Sequence, residues 1–156
     1  RTILDLGPYD ETGPTIASSG LAFTPDGSTI YYSTRGGQPY AATVWRLALP
    51  AGKPERVASG QGPSISPDGL LGVVCCSNPD PAPGDPEPNR DFVLHDPITG
   101  DERERFALPF LGGFHDYDST GAYQLFTTWP ASVVFLRFNE EFTKIPGLQD
   151  IDTVVW

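Results

Sequence analysis

One short pattern constrains this chain more than any other feature. Phe23-Thr24-Pro25-Asp26-Gly27 and Ile65-Ser66-Pro67-Asp68-Gly69 write the same turn twice, and each runs straight into a β-rich stretch, Thr29–Ser33 and Leu70–Cys75. Pro presets the backbone of the first turn residue, Asp bonds the chain ahead of it, and Gly accepts positive φ. A third, altered copy follows at His115–Gly121, where Ser119-Thr120 replaces Pro-Asp and the Gly is kept. The turn glycines Gly27, Gly69 and Gly121 lie 42 and 52 residues apart, the longer gap accommodating an insertion at 78–89. A supersecondary unit repeating at this period signals stacked sheets rather than one continuous layer.

Each unit continues alike. After the first hairpin, Thr43–Ala48 and Glu55–Ala58 read as third and fourth strands around a turn at 50–53. In the second unit these are Asp91–His95 and Arg103–Ala107; in the third, Val133–Phe138 and Phe142–Ile145. The alternation and the Gly/Pro punctuation predict an all-β chain of about three four-stranded antiparallel units, at 20–58, 63–107 and 114–145. Stretches 2–6 and 150–156 read as partial strands of flanking units. Phe23, Ile65 and Tyr117 stand four residues before their turn Gly and are expected to face the core.

Composition agrees. Gly and Pro number 17 each in 156 residues and cluster at turns, and the 38% hydrophobic content is enough for a packed core. The formal charge is −10, with only two lysines, Lys53 and Lys144; nucleic acid and anionic membrane are therefore poor partners. No stretch is long and apolar enough to span a bilayer. Cys75 and Cys76 are neighbours that point to opposite faces of a strand, so two free thiols are expected. No Cys/His spacing suggests a metal site, and no cofactor motif is present.

At the two full turns the sequence resembles the WD-like repeats of TolB-type β-propellers, whose blades carry a Ser/Thr-Pro-Asp-Gly turn between their first two strands. Similar blades occur in prolyl-oligopeptidase-type peptidases and in gluconolactonase-like propellers. The resemblance spans roughly Gly20 to Ile145 and implies a β-propeller segment and an extracytoplasmic (periplasmic or secreted) location; the excess of Arg over Lys, with many Asp and Pro, points to a bacterial or archaeal source. No Gly-x-Ser-x-Gly elbow is present to carry over a catalytic role. A propeller closes with about four to eight blades. Three units therefore imply either a longer propeller or pairing with another chain.

In such a fold the short turns share one end of the sheets and the long connections the other. The long connections are 35–41, 60–62, 77–90, 111–115 and 129–132, and variable loops on a rigid scaffold are where binding is usually found. The candidate ligand-binding residues are accordingly Arg35, Gln38, Tyr40, Gln61, Arg90, His115 and Trp129. The insertion Pro79–Pro88 is acidic and stiff, suited to a cationic partner or to none. His115-Asp116 could do acid–base work or bind a metal, although strand neighbours diverge. The expected function is a scaffold that binds a protein partner, another propeller segment or a small ligand. The competing expectation is an enzyme, either a metal-dependent lactonase or hydrolase or the propeller domain of a peptidase.

Overall fold

The structure, a computed structural model, describes residues 15–35, 42–76, 90–109, 112–128 and 133–146. These form twelve strands and, among the described residues, no helix, so none long and apolar enough to cross a membrane. The expected flanking strands at 2–6 and 150–156 lie outside the described residues.

Three four-stranded antiparallel sheets follow one another along the chain. The first holds β1 (Thr15–Phe23), β2 (Thr29–Arg35), β3 (Ala42–Ala48) and β4 (Glu55–Ser59). The second holds β5 (Gln61–Ile65), β6 (Leu71–Cys76), β7 (Arg90–His95) and β8 (Glu102–Leu108). The third holds β9 (Gly112–Tyr117), β10 (Tyr123–Thr128), β11 (Val134–Phe138) and β12 (Glu141–Lys144). Each is a simple meander in chain order, as local hairpins dictate. β1 starts at Thr15, earlier than the expected Gly20, and its pairing with β2 shifts register between Ile16 and Leu21.

The three repeat turns are equivalent bends. Gly27, Gly69 and Gly121 have φ of 68°, 88° and 77°, and each donates its N–H to the carbonyl three residues back: Thr24, Ser66 or Asp118. Only Gly takes that backbone without strain. The altered third copy performs the same chemistry with its side chains exchanged. Thr24 Oγ1 donates to Asp26 Oδ1 at 2.6 Å, and Ser66 Oγ donates likewise to Asp68. In the third turn the acid comes first and the hydroxyl third: Thr120 Oγ1 donates to Asp118 Oδ2 at 2.6 Å. In all three, the first turn residue's side chain also accepts from the backbone N–H that opens the return strand: Thr29, Leu70 or Tyr123.

The sheets stack face to face, the second in the middle. Tyr31, Val44 and Ala58 of the first sheet meet Leu71, Val73 and Val93 of the second. On the second sheet's other face, Val74, Phe92, Leu94 and Leu108 meet Tyr117 and Phe126 of the third, joined by Phe106, Phe114, Phe135 and Phe142. Alternation along a strand makes this possible: Val73 looks back to the first sheet and Val74 forward to the third.

The expectation for Phe23, Ile65 and Tyr117 requires one correction. Ile65 packs against the first interface and Tyr117 is buried in the second, each facing the preceding sheet. Phe23 is 55% exposed. It stands at the same place in its own unit, but no sheet among the described residues precedes it.

Candidate functional site

The clearest concavity among the described residues is an open cleft of about 640 Å³ between the first two sheets. It is lined by Arg56 and Ser59 of β4, Cys75 of β6, Asp91 and His95 of β7, and Arg105 of β8. Cross-strand register assembles it. Cys75 pairs with Asp91, and Asp91 with Ala107, so alternation puts Cys75, Asp91, Val93, His95 and Arg105 on the face that looks toward the first sheet.

Arg105 organises the cleft. Its Nε and Nη2 donate to Glu102 Oε1 and Oε2 at 2.9 and 2.7 Å, and its Nη1 donates to Asp91 Oδ2 at 2.7 Å. Nη1 also lies 3.6 Å from Cys75 Sγ. The Glu102 and Asp91 hydrogen bonds hold the guanidinium even more firmly protonated than usual, and Arg105 holds the Glu102 carboxyl below its ordinary range. A planar fork with this many acceptors is fixed in direction. Arg56 donates to Ser59 Oγ at 2.9 Å and has no carboxylate partner among the described residues. His95 faces the acceptor Gly100 O through Nδ1 at 3.0 Å, which pins the turn 96–101 and leaves Nε2 on the ring's far edge. The cleft offers hydrogen-bond donors and the Arg56 guanidinium; it contains a thiol but no nucleophile–base pair at bonding distance among the described residues.

Of the residues expected from the sequence, Arg35, Gln61 and Arg90 stand at the loop-bearing end of the sheets. The ends β2/β3, β6/β7 and β10/β11 share that end with the β4–β5 and β8–β9 connections. Gln61 opens β5 there, half-buried. Arg90 opens β7, and its Nη1 donates to Gly112 O at 3.1 Å, tying the second sheet to the first residue of β9. Arg35 ends β2 and His115 lies in β9, while the register skips His115 between the Asp116–Leu125 and Phe114–Phe126 pairs. The side chains of Arg35 and His115, and all of Gln38, Tyr40 and Trp129, fall outside the described residues. Asp116 is exposed and accepts from the Tyr117 N–H at 2.8 Å. Among the described residues no three His, Cys, Asp or Glu side chains come together as metal ligands do.

The Asp91–Arg105–Cys75 group was missed by sequence reasoning. One signal was available: Asp91 interrupts the otherwise apolar inward positions of its strand, and a carboxylate there needs a partner. Which residue supplies it depends on cross-strand register, which no local pattern states.

No protein-family model matches the sequence, and no curated protein does. Solved structures do. The chain is similar to Pyrococcus horikoshii acylaminoacyl peptidase, uncomplexed, with a TM-score of 0.55 and 13% identity over 83% of this chain and 25% of that one. The orthorhombic crystal form of the same enzyme gives 0.54 and 14% over the same shares. An acylaminoacyl peptidase in complex with Z-Gly-Gly-Phe-chloromethyl ketone gives 0.54 and 15% over 81% and 24%. This chain thus spans about a quarter of those chains, and at such identity the likeness speaks for the fold alone. Together with the three antiparallel sheets it fits a propeller-like segment.

Proposed function

We propose that the chain is a recognition scaffold: a β-propeller segment, of the TolB-like type that its turns resemble, that binds a protein partner or small ligand rather than transforming one. The supporting observation is the cleft between the first two sheets. Arg105 is immobilised by Glu102 and Asp91, while Arg56 has no carboxylate partner among the described residues. A rigid polar wall beside the Arg56 guanidinium suits a ligand carrying a carboxylate and neutral polar groups. The loop-bearing end, where Gln61 and Arg90 stand, adds the second contact surface.

The test is a titration with acetate and N-acetylglycine followed by NMR. The expected result is saturable shifts of the Arg56, Asp91 and Arg105 signals that Arg56→Gln removes. Shifts that are absent, or that are indifferent to that substitution, would overturn the cleft as the site.

One observation favours a second reading. Solved structures that share the fold include acylaminoacyl peptidases. On that reading the segment belongs to the propeller domain of a peptidase whose nucleophile lies elsewhere. A fluorophosphonate probe would then label the native source protein and leave this 156-residue segment unlabelled; no labelling of the source protein would count against it.

A further inference from the structure

The two walls of the cleft are unlike. On the second sheet it is lined by alternate residues of β7, Asp91, Val93 and His95, which is a strand seen face-on. On the first sheet it is lined by Arg56, Val57, Ala58 and Ser59, four in a row. Consecutive residues of a strand point to opposite faces, so a wall made of all four is the strand's edge, with its backbone turned to the cleft. β4 ends its sheet and, among the described residues, pairs with β3 alone.

The ladder determines which backbone groups that edge presents. Gly60 N–H donates to Ala42 O at 2.9 Å, and the register sets Ser59 opposite Thr43 and Ala58 opposite Val44. Bonded and unbonded pairs alternate along an antiparallel ladder. Ala58 is therefore bonded to Val44, and the N–H and C=O of Ser59 are directed away from β3, along the open edge. The register skips Val57, and this bulge leaves Arg56 and Ser59 on one face of the sheet, where Arg56 donates to Ser59 Oγ at 2.9 Å. Ala58, on the other face, packs toward the second sheet.

The interface between the second and third sheets is filled out to its rim. There Phe106 of β8 and Phe142 of β12, both outermost strands, lie 6.2 Å apart between ring centroids. In the first interface β4 lies against β6, and Arg105 of the outermost strand β8 faces the cleft instead. The space beside β4 and above β7 and β8 is where one more strand would fit.

We infer that the cleft takes an extended peptide segment of a partner protein, added to β4 as a fifth strand over β7 and β8. The inference rests on the recognition function proposed for the cleft and names its ligand class. The peptide main chain bonds to the N–H and C=O of Ser59, as in other additions to a free sheet edge. Alternation then sets the side-chain pattern. Residues on the Ala58 side point down to Val93 and are small and apolar; the residue between them lies on the Arg56 side and carries a carboxylate. Charge complementarity selects that group, because Arg56 has no carboxylate partner among the described residues while Arg105 is held by Asp91 and Glu102. The carboxylate belongs to a side chain rather than to a chain end, since the Arg56 guanidinium lies alongside Ser59, against the body of the added strand.

The test is an NMR titration of the intact 156-residue chain with the capped peptide acetyl-Thr-Val-Glu-Val-Thr-amide, beside N-acetylglycine. The expected result is binding about tenfold tighter than that of N-acetylglycine, with solvent exchange of the Ser59 amide slowed about fivefold at saturation. Two methylated peptides read the strand pairing without altering the protein. One carries N-methyl groups on both valines, the other on the glutamate and the last threonine, which face opposite edges of the peptide. One of the two should lose about tenfold in affinity and the other should not. A peptide with Gln for Glu, and the Arg56→Gln protein, should each bind about fivefold more weakly. Methylated peptides that bind alike, or a Ser59 amide whose exchange is unmoved, overturn the inference. N-acetylglycine binding with a pentapeptide no tighter overturns strand addition and leaves the carboxylate site standing; binding of neither overturns both.

Discussion

The two interfaces that flank the second sheet are built from the same repeat and do different work. The forward interface is aromatic and closed. Phe92 lies 4.9 to 5.6 Å from the ring centroids of Phe106, Phe114 and Phe126, and Arg137 rests 3.6 Å above the centre of Phe106. The backward interface holds a single ring, Tyr31, with the smaller side chains Val44, Ala58, Leu71, Val73 and Val93, and opens into a polar cleft. Many rings fill the space between sheets; one ring among aliphatic side chains does not, and the remainder is taken by Asp91, Arg105 and Cys75. Stability therefore concentrates on one side of the middle sheet and the capacity to bind on the other.

That contrast can be broken from the aromatic side first. Phe92→Ala removes a fully buried ring from four-way contact and should cost about 3–5 kcal/mol in urea unfolding. Gly72→Ala should cost about 1–3 kcal/mol. A Cβ there would stand 2.5 Å from Phe92 Cζ, 2.7 Å from Ser64 Oγ and 2.8 Å from the Tyr117 hydroxyl. In the cleft, Arg105→Gln should cost about 1–3 kcal/mol, since the Glu102 pair is open to solvent but the buried Asp91 carboxylate loses its donor. Equal losses on the two sides would erase the distinction.

The smallest effect is a pH dependence at the turns. Hydrogen bonds from the Thr24 side chain first, then from the Ser28 backbone and hydroxyl, lower the Asp26 carboxyl to about 2. A depressed folded value contributes stability above the ordinary carboxylate value and loses it as the pH falls from about 4 toward about 2. Asp26→Asn should therefore lower the melting temperature at neutral pH, flatten its acid limb over that window and leave it little changed near pH 2. The alkaline limb reports on the aromatic interface instead. Burial pushes the Tyr117 phenol upward, so the unfolded chain ionises first and stability falls as pH rises above about 10. Tyr117→Phe should reduce that fall, the rest remaining with Tyr31 and Tyr32, whose phenols burial also pushes up.

The strand order and the turn chemistry were legible because both are local. A Thr-Pro-Asp-Gly run dictates its bend wherever it occurs, and four-residue offsets from the turn Gly mark which side chain leaves the strand toward a neighbour. Even the third turn obeyed, since exchanging acid and hydroxyl between Asp118 and Thr120 preserves the bond between them. Phe23 shows where such reasoning stops. Its offset correctly gives its direction, but burial also needs a sheet on that side. The cleft was not legible, because the approach of Arg105 to Asp91 and Cys75 is set by the pairing of three strands separated by a long insertion. Arg90 was singled out as a ligand contact from its place beside that insertion; its hydrogen bond to Gly112 gives it a task between the sheets that sequence position alone could not show.

The most direct measurement is a double-mutant cycle between the second and third sheets, with Phe92→Leu, Phe126→Leu and the pair, read by urea unfolding. The two rings meet edge to face at 5.6 Å between centroids. Stacked repeat sheets predict a coupling of about 0.5–1.5 kcal/mol. Losses that add, to within about 0.3 kcal/mol, would mean these rings do not touch and would contradict the stacking of the sheets.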